Sequence, residues 1–562
     1  LKLTTEQQNI LDSELIGTTT NIGIVKALAG TGKTTTLMEK VKKHPELNFC
    51  YLSFNKAIKE EVQKKIDKEN IDNLTASTMH GLAFKNVMKK FGFPSIQNFT
   101  VDNISDMFPS DYALKPWMIY KTIMLFNRYC NQVLKFDEYK KQVMSMKPQE
   151  LATIGFTDKN INLFYTIFGY VEKIYNKMIN KQTNYITHNF YLKYFMDNVA
   201  EFNFTEFDVF LFDEAQDLNE PMAIFVREIV RKKLPIILVG DKHQSIYGFI
   251  KSIDVMALLE KQLPERINRH DLTNSFRFQE NSEIETLCNI ILELRDAKIK
   301  GYTVSEGTEK VIEEEQAFLS RSNKPVFSKC LYLISEETKF DLIGGISTFD
   351  LKTISDIYYL LMGMNDSIKN KYIKSFKDTN DFIADITKNE DVTLLSNLQI
   401  ASICKEKNKN PQEMFRLISK WVDTKSPTKV GTIHKTKGLG FDYVELMEGG
   451  HYTPIMGLTD EEEIELHIDG VKYTALTIAH KCNLYEELNI LYVGISRAKM
   501  VIKIDNNMFT DTLNFLTAIN SNDLEEIEIP HLGHNKDYYK INDAYLISKR
   551  DLNTWINKAK GK

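Results

Sequence analysis

The run Ala27-Leu28-Ala29-Gly30-Thr31-Gly32-Lys33-Thr34 has the residue types and order of a phosphate cradle. An apolar stretch with Ile22, Ile24 and Val25 precedes it and a polar helical pattern follows, so it sits where a strand gives way to a helix. At such a junction the unpaired backbone N–H groups and the helix dipole favour an anion, and Gly30 and Gly32 allow the backbone to come close to it. Ala29 to Thr35 would wrap the phosphates of a nucleotide, Lys33 would reach the outer two, and Thr34 would bind Mg²⁺. Ala27 stands where the general pattern has its first glycine. A second run, Phe210-Leu211-Phe212-Asp213-Glu214-Ala215-Gln216-Asp217, is an apolar strand ending in acid. Asp213 at the strand tip would hold Mg²⁺ beside the cradle, and Glu214 would orient water or accept its proton. Taken alone, the first run also fits a Gly-rich turn and the second a strand closed by a solvated acidic loop. Together they specify a nucleoside triphosphate site.

Those residues need a scaffold. Val209–Phe212 and Pro235–Val239 are short, continuous apolar runs that each end in Asp, the pattern of parallel strands buried on both faces. From about Phe84 to Gln182 the pattern becomes Lys- and aromatic-rich with helical spacing. Strand signals return at Asp271–Arg277, Ala317–Ser320, Val430–Ile433, Tyr443–Leu446 and Val501–Ile504, around a helical stretch from Leu360 to Trp421. The expected architecture is α/β: residues 1–83 with 183–270 form one domain and 271–355 with 426–510 a second. Mainly helical insertions occupy 84–182 and 356–425, and residues 511–562 form a tail with no assigned role.

Bulk properties narrow the class. The chain has 562 residues, 43% hydrophobic and 26% charged, which suits several soluble domains. The apolar runs are strand-sized, far below the roughly 20 residues of a membrane helix, and the N-terminus lacks a signal-peptide pattern. A cytoplasmic or other intracellular location is the simplest expectation. The six cysteines are widely spaced, so reduced and mostly buried thiols are expected. A net charge of −5 argues against a protein that coats nucleic acid nonspecifically but does not exclude nucleic acid, since a local basic track is enough to hold a strand.

From DEAQD (Asp213–Asp217) onward the motif order resembles the UvrD/Rep helicases of superfamily 1. LTTEQQ near the start resembles their Q-motif, and YLSFNKAIKEEV (Tyr51–Val62) and TASTMHG (Thr75–Gly81) resemble two DNA-contact motifs. LVGDKHQSIYGF (Leu238–Phe249), LTNSFRF (Leu272–Phe278), AFLSRSN (Ala317–Asn323), VGTIHKTKGLGFDYV (Val430–Val444) and NILYVGISRAK (Asn489–Lys499) follow in order. The resemblance spans Leu3 to about Ile504 and matches both insertions poorly. It implies two RecA-like P-loop motor domains using ATP and Mg²⁺. Gln7 and Phe276 would hold adenine and Lys437 would lie among the nucleotide contacts. Gln244 would sense the γ-phosphate, and Arg277 and Arg497 would act as arginine fingers beside the catalytic Lys33 and Glu214. A lone Arg is otherwise most often a surface ion pair.

The DNA track implied by the resemblance includes His80, His434 and Phe54, although Phe54 fits core packing equally well. Tyr247 and Phe249 are two apart, so in an extended segment both rings point the same way and any base could stack on them. Three departures stand out. Gly440 replaces the glutamate usual in KGLE, Ile250 follows the stacking aromatic where Arg is usual (with Lys251 next), and the second insertion is short. Loss of the carboxylate at Gly440 implies that dATP is used nearly as well as ATP.

The implied function is ATP-driven 3′→5′ movement on single-stranded DNA with unwinding at duplex junctions, with room for a nuclease or a replication or repair factor as protein partner and no role for a membrane. Two other classes fit the same motifs: an RNA-directed motor, and an ATP-driven remodeller of nucleoprotein that does not unwind. No RNA-recognition motif favours the first.

Overall fold

The structure, a computed structural model, describes residues 3–14, 18–53, 56–91, 95–108, 114–147, 161–183, 185–246, 253–303, 314–388, 391–447, 458–468, 471–478, 483–505, 507–521, 524–528, 537–540 and 545–561. It is a mixed α/β protein with two parallel sheets and many helices.

The first sheet contains β1 (Ile22–Ala27), β2 (Phe49–Ser53), β3 (Leu74–Thr78), β4 (Val209–Phe212), β5 (Ile236–Gly240) and β6 (Ile267–Leu272), in the order β3-β2-β4-β5-β1-β6, with every pair parallel. β2, β4 and β5 are buried along their whole length, which explains the continuous apolar runs. In an all-parallel sheet every strand leaves at the same edge. The cradle after β1, the acids after β4 and the turn after β5 therefore converge there.

β7 (Asn274–Gln279) and β8 (Lys300–Tyr302) form a two-stranded sheet. The second large sheet is also parallel and runs β10-β11-β9-β12-β15, from β9 (Gln316–Ser320), β10 (Asp341–Leu342), β11 (Thr428–Thr432), β12 (Phe441–Met447) and β15 (Ala498–Asp505). A third, mixed sheet joins β13 (Leu458–Ile468) and β14 (Val471–Ile478) to β16 (Glu525–Glu528), β17 (Asp537–Lys540) and β18 (Tyr545–Ser548).

Two expectations change here. The strand expected over Asp271–Arg277 in the second domain is in fact two elements. Residues 267–272 extend the first sheet beside β1, and 274–279 leave it. The break is held by Glu6, whose carboxylate accepts from the Thr273 amide at 2.9 Å and hydroxyl at 2.6 Å, tying the turn to the first helix. The unassigned tail packs into the second core: Leu513, Phe515, Leu516, Leu552 and Trp555 are buried there, and β18 pairs with β14.

Between β3 and β4 the described residues are mainly helical, with helices Val101–Met107, Pro116–Cys130, Phe136–Met144, Ile161–Ile179 and His188–Asp197. Caps punctuate them: Thr100 and Asn103 form a capping box, Pro116 opens the next helix, and Thr187 caps the last. Their aromatics fill the core, with Phe136 stacked on Tyr175 at 4.1 Å between ring centres. Five helices between Leu351 and Trp421 form a second group. The two groups meet where Tyr120 stacks on Tyr372 at 4.5 Å and donates to Asp391. Cys50, Cys130, Cys288, Cys330 and Cys404 are buried free thiols, as expected.

Candidate active site between the two parallel sheets

Gly30 and Gly32 both take left-handed backbone, with φ of 72° and 79°, and Gly32 caps the helix Lys33–Lys43. A side chain at Gly30 would meet Ser275 Oγ at 2.6 Å, so the cradle is closed from behind by β7 and only glycine fits. Lys33 Nζ lies 3.5 Å from the Ala27 carbonyl and 3.9 Å from the Glu214 carboxylate. Thr34 donates to Asp213 at 3.1 Å, and Tyr51 donates to the same carboxylate oxygen. The Ala29 amide, expected to face phosphate, donates instead to the Tyr492 hydroxyl at 3.1 Å.

Glu214 has φ of 56°, an unusual backbone for a residue with a side chain. The turn is held by its own amide on Asp213 at 2.9 Å and by Gln216, which donates to the Glu214 carboxylate at 2.5 Å. Gln216 in turn accepts from the Asp241 amide at 3.0 Å, joining the ends of β4 and β5. Burial pushes the Asp213 carboxyl up, as does the charge of Glu214 beside it. Burial also opposes ionisation of Glu214, but Lys33 and Lys437 outweigh it and hold its carboxyl down to about 2. Glu214 is therefore ionised.

The opposite wall is built from β7 together with the second parallel sheet and its flanking loops. Arg277, on β7, donates to the carbonyls of Ser496 at 2.6 Å and Gly438 at 3.4 Å. Arg497 is buried and donates to the carbonyls of Val493 at 2.9 Å and Leu439 at 3.0 Å, and to Gln244 Oε1 at 3.4 Å. Gln244 also donates to Asp241 at 2.7 Å. Burial lowers both guanidinium pKa values, and for Arg497 the nearby Arg277 adds to the effect. A cavity of about 960 Å³ lies between the walls. Gly30–Thr35, Asp213, Glu214 and Gln244 line one side, with Phe276, Arg277, Gly440 and Arg497 on the other. Gln7, near the rim, donates to Thr36 at 3.1 Å, and its amide lies beside Gly32 and the exposed Phe276 ring.

Lys437, expected among the nucleotide contacts, has a buried ammonium bound to Asp217. It also reaches the Gln244 carbonyl at 2.8 Å and Glu214 at 3.5 Å. Asp217, Gln216 and Tyr51 were not anticipated as site residues. Asp217 and Gln216 lie within the quoted DEAQD, where a polar residue next to an acidic strand end was the available signal. Gly440 lies against Arg277: a Cβ there would come 3.0 Å from Arg277 Nε.

The expected DNA contacts are placed unevenly. His80 stands edge-on to Tyr191 and His188, and burial, with His188 adding to it, holds its pKa down to about 4. His434 follows β11 and is likewise lowered to about 4 by burial and Arg321. Phe54, Tyr247, Phe249, Ile250 and Lys251 lie outside the described residues. Among the described residues no helix is long and apolar enough to cross a membrane.

Comparison with known proteins agrees with this geometry. The UvrD/REP helicase N-terminal domain matches residues 3–264. F-box DNA helicase 1 of Gallus gallus is 26% identical over 534 residues, covering 90% of this chain and 49% of that protein. F-box DNA helicase protein 1 of Schizosaccharomyces pombe is 25% identical over 566 residues, covering 92% and 58%. The chain thus spans about half the length of the curated relatives it matches. Over residues 3–264, the stretch that carries the phosphate cradle, the acidic end of β4 and the Gln244 turn, the chain is similar to the UvrD/REP helicase N-terminal domain.

Proposed function

We propose that this chain is an ATP-dependent DNA helicase that moves 3′→5′ on single-stranded DNA and opens duplex junctions. Its two motor domains are RecA-like and comprise residues 1–83 with 183–270 and 271–355 with 426–510; the helical insertions are 84–182 and 356–425. One observation carries the reading: Arg277 and Arg497 face Lys33 and Glu214 across a single cavity between two parallel sheets. That arrangement lets hydrolysis depend on how the two sheets approach each other, which is what a motor requires.

Nucleotide phosphates would rest on the amides of Gly30–Thr35 and on Lys33, with adenine between Gln7 and Phe276. The donor set suits Mg²⁺, which takes one or two carboxylates together with phosphate oxygens: Thr34 and Asp213 already meet at 3.1 Å. When bound there, the ion would offset the negative charge of the phosphates. Glu214, ionised and steered by Gln216, orients a water and accepts its proton. Arg277 and Arg497 now donate largely to neutral carbonyls, so exchanging these for charged phosphate oxygens strengthens their bonds as negative charge develops. Gln244 touches Arg497, Asp241 and, through its carbonyl, Lys437, and so carries the state of the cavity to the following Tyr247–Phe249 segment. His80, His434, Phe54, Tyr247 and Phe249 make the DNA track, and a nuclease or a replication or repair factor is the kind of protein partner such a motor would serve. The names of the relatives support DNA as the substrate and an intracellular, DNA-associated setting.

The test pairs ATP hydrolysis on single-stranded DNA and RNA with fluorescent strand displacement on 3′- and 5′-tailed duplexes. DNA-stimulated hydrolysis and opening of the 3′-tailed duplex are expected, both lost in Lys33→Ala and Glu214→Gln. Preference for RNA, or hydrolysis without displacement on any duplex, would replace this reading with an RNA motor or a nucleoprotein remodeller.

A further inference from the structure

Arg295 is a buried guanidinium outside the nucleotide cavity, and all its bonds are to other parts of the chain. It follows the helix Glu283–Glu293 and donates to four groups from three separate elements. Nε meets the Ala559 carbonyl at 2.9 Å, at the end of the last helix (Lys549–Ala559). Nη2 meets the Tyr485 carbonyl at 3.0 Å, and Nη1 meets Asn489 Oδ1 at 2.5 Å and His243 Nδ1 at 3.5 Å. Burying a cation against this many acceptors is costly unless the site is fixed.

Asn489 completes the arrangement. With Oδ1 turned to Arg295, its Nδ2 must face the other way, and it donates to the carbonyls of Lys242 at 3.2 Å and Ser245 at 2.7 Å. These two carbonyls bracket the short helix Lys242–Gln244, which carries Gln244 into the nucleotide cavity. Tyr485 adds a bond to the Lys242 carbonyl at 3.0 Å, and Tyr492, on the same helix face, holds the Ala29 amide of the cradle. Spacings of four and three between Tyr485, Asn489 and Tyr492 give the helix Leu484–Ile495 one face for both nucleotide-site loops.

We propose that Arg295 is a positioning residue that fixes the orientation of the Asn489 amide, so that docking of the C-terminal helix Lys549–Ala559 sets the register of the Gln244 turn. This rests on the nucleotide-site reading above and extends it to a part of the chain with no assigned role. Chemically, Arg295 acts as a one-way constraint. An asparagine amide can turn end for end at little cost, but with a guanidinium on one side only its carbonyl oxygen can face that side. If Arg295 is lost, nothing holds the oxygen side of the amide, and the two bonds to the turn are anchored from one side only.

The experiment measures steady-state ATP hydrolysis of the full chain, with and without single-stranded DNA, for Arg295→Gln, Asn489→Asp and the double variant, beside thermal unfolding. Asn489→Asp is nearly isosteric and keeps an acceptor for Arg295 but replaces the donor toward the turn with a second oxygen. Each single variant is expected to lower DNA-stimulated kcat about tenfold or more with KM for ATP within about twofold, and the double variant to fall no further than the worse single one. A purely structural role would lower the unfolding midpoint and leave kcat per folded molecule unchanged; that outcome, or an unchanged Asn489→Asp, overturns the proposal. If Arg295→Gln does not fold, Asn489→Asp alone decides it. Absence of hydrolysis in the wild type would instead overturn the nucleotide-site reading.

Discussion

The two walls of the nucleotide cavity hold their charges by opposite means. On the first-sheet wall, Asp213, Glu214 and Asp217 are carboxylates held by side chains: Thr34, Tyr51, Gln216 and Lys437. On the second wall, Arg277 and Arg497 bond chiefly to backbone carbonyls. Lys437 follows β11 in the second sheet, yet its ammonium crosses to Asp217 on the first wall. Two kinds of cation are therefore present: Arg277 and Arg497 line the cavity, and Lys437 lies behind it against Asp217. A guanidinium on neutral carbonyls gains when a phosphate oxygen arrives, whereas an ammonium already paired with a buried carboxylate has nothing comparable to gain. Among the cations that come from outside the first sheet, the charge of the present acceptor separates the two that do chemistry, Arg277 and Arg497, from the one that braces the cleft, Lys437.

That distinction is broken or sharpened most directly at Arg277. Arg277→Ala is expected to lower kcat by roughly 10³-fold or more, the scale of a lost arginine finger, while adenine and cradle contacts keep KM within about tenfold. Steady-state hydrolysis at saturating DNA measures it. Turnover near wild type would place Arg277 among the braces and erase the difference between the walls.

Lys437→Met should behave in the other manner. Removing one partner of a buried pair leaves Asp217 and Glu214 without their counter-charge, a loss of about 3–5 kcal/mol in stability. Denaturant unfolding is the measure, and the added change Asp217→Leu should recover part of the loss by removing the stranded carboxylate. A Lys437→Met protein of wild-type stability but with weakened ATP binding would return Lys437 to the nucleotide contacts.

The same contrast explains what the sequence disclosed. The first wall was legible because a parallel sheet buries whole strands and releases its loops at one edge, so Ile22–Val25, Val209–Phe212 and Pro235–Val239 carry position as well as burial. The cradle glycines and the Asp213–Glu214 step follow from that edge. Lys437 did not, because the residue type and its place in a motif say nothing about which acceptor a flexible four-carbon side chain reaches. Nor could the sequence show that the Ala29 amide meets Tyr492, a residue 463 positions away. Asp271–Arg277 reads as one strand because a local pattern cannot show the staple that Glu6 makes at Thr273. The tail was opaque because its strands pair with β14, and pairing between distant segments leaves no local trace.

A smaller effect is expected at Gly440. The absent carboxylate predicts that ATP is favoured over dATP roughly tenfold less than in a glutamate-bearing relative, the worth of one charge-assisted hydrogen bond. Its position beside Arg277 changes what a substitution would show. Any Cβ there lies 3.0 Å from Arg277 Nε, so Gly440→Glu must displace that side chain and should lower kcat with both nucleotides while it restores sugar preference. The kcat/KM ratio for ATP and dATP, measured in both proteins, separates the two effects. Strong discrimination against dATP in the wild type would mean that another group reads the sugar.

The smallest expected effect concerns His80, which follows β3, and His434, which follows β11. Both have pKa values near 4, below the ordinary 6.5 of a free imidazole, chiefly because burial disfavours the cation. For His80 the neighbouring His188 adds to this, and for His434 it is the fixed charge of Arg321. A depressed folded-state pKa means that the unfolded chain takes up protons first as pH falls. The stability contributed by each neutral ring is thus complete above pH 6.5 and is lost progressively down to pH 4. At pH 5 the loss is about 1–2 kcal/mol for each ring. Unfolding midpoints between pH 7.5 and 5 should fall less in His80→Gln and His434→Gln than in the wild type, with the two flattenings adding when combined. Arg321 is a permanent charge, so added salt should relieve part of the His434 effect. Equal slopes in all variants would show that both rings are protonated in the folded protein, and the track they are proposed to line would then carry two more positive charges at low pH.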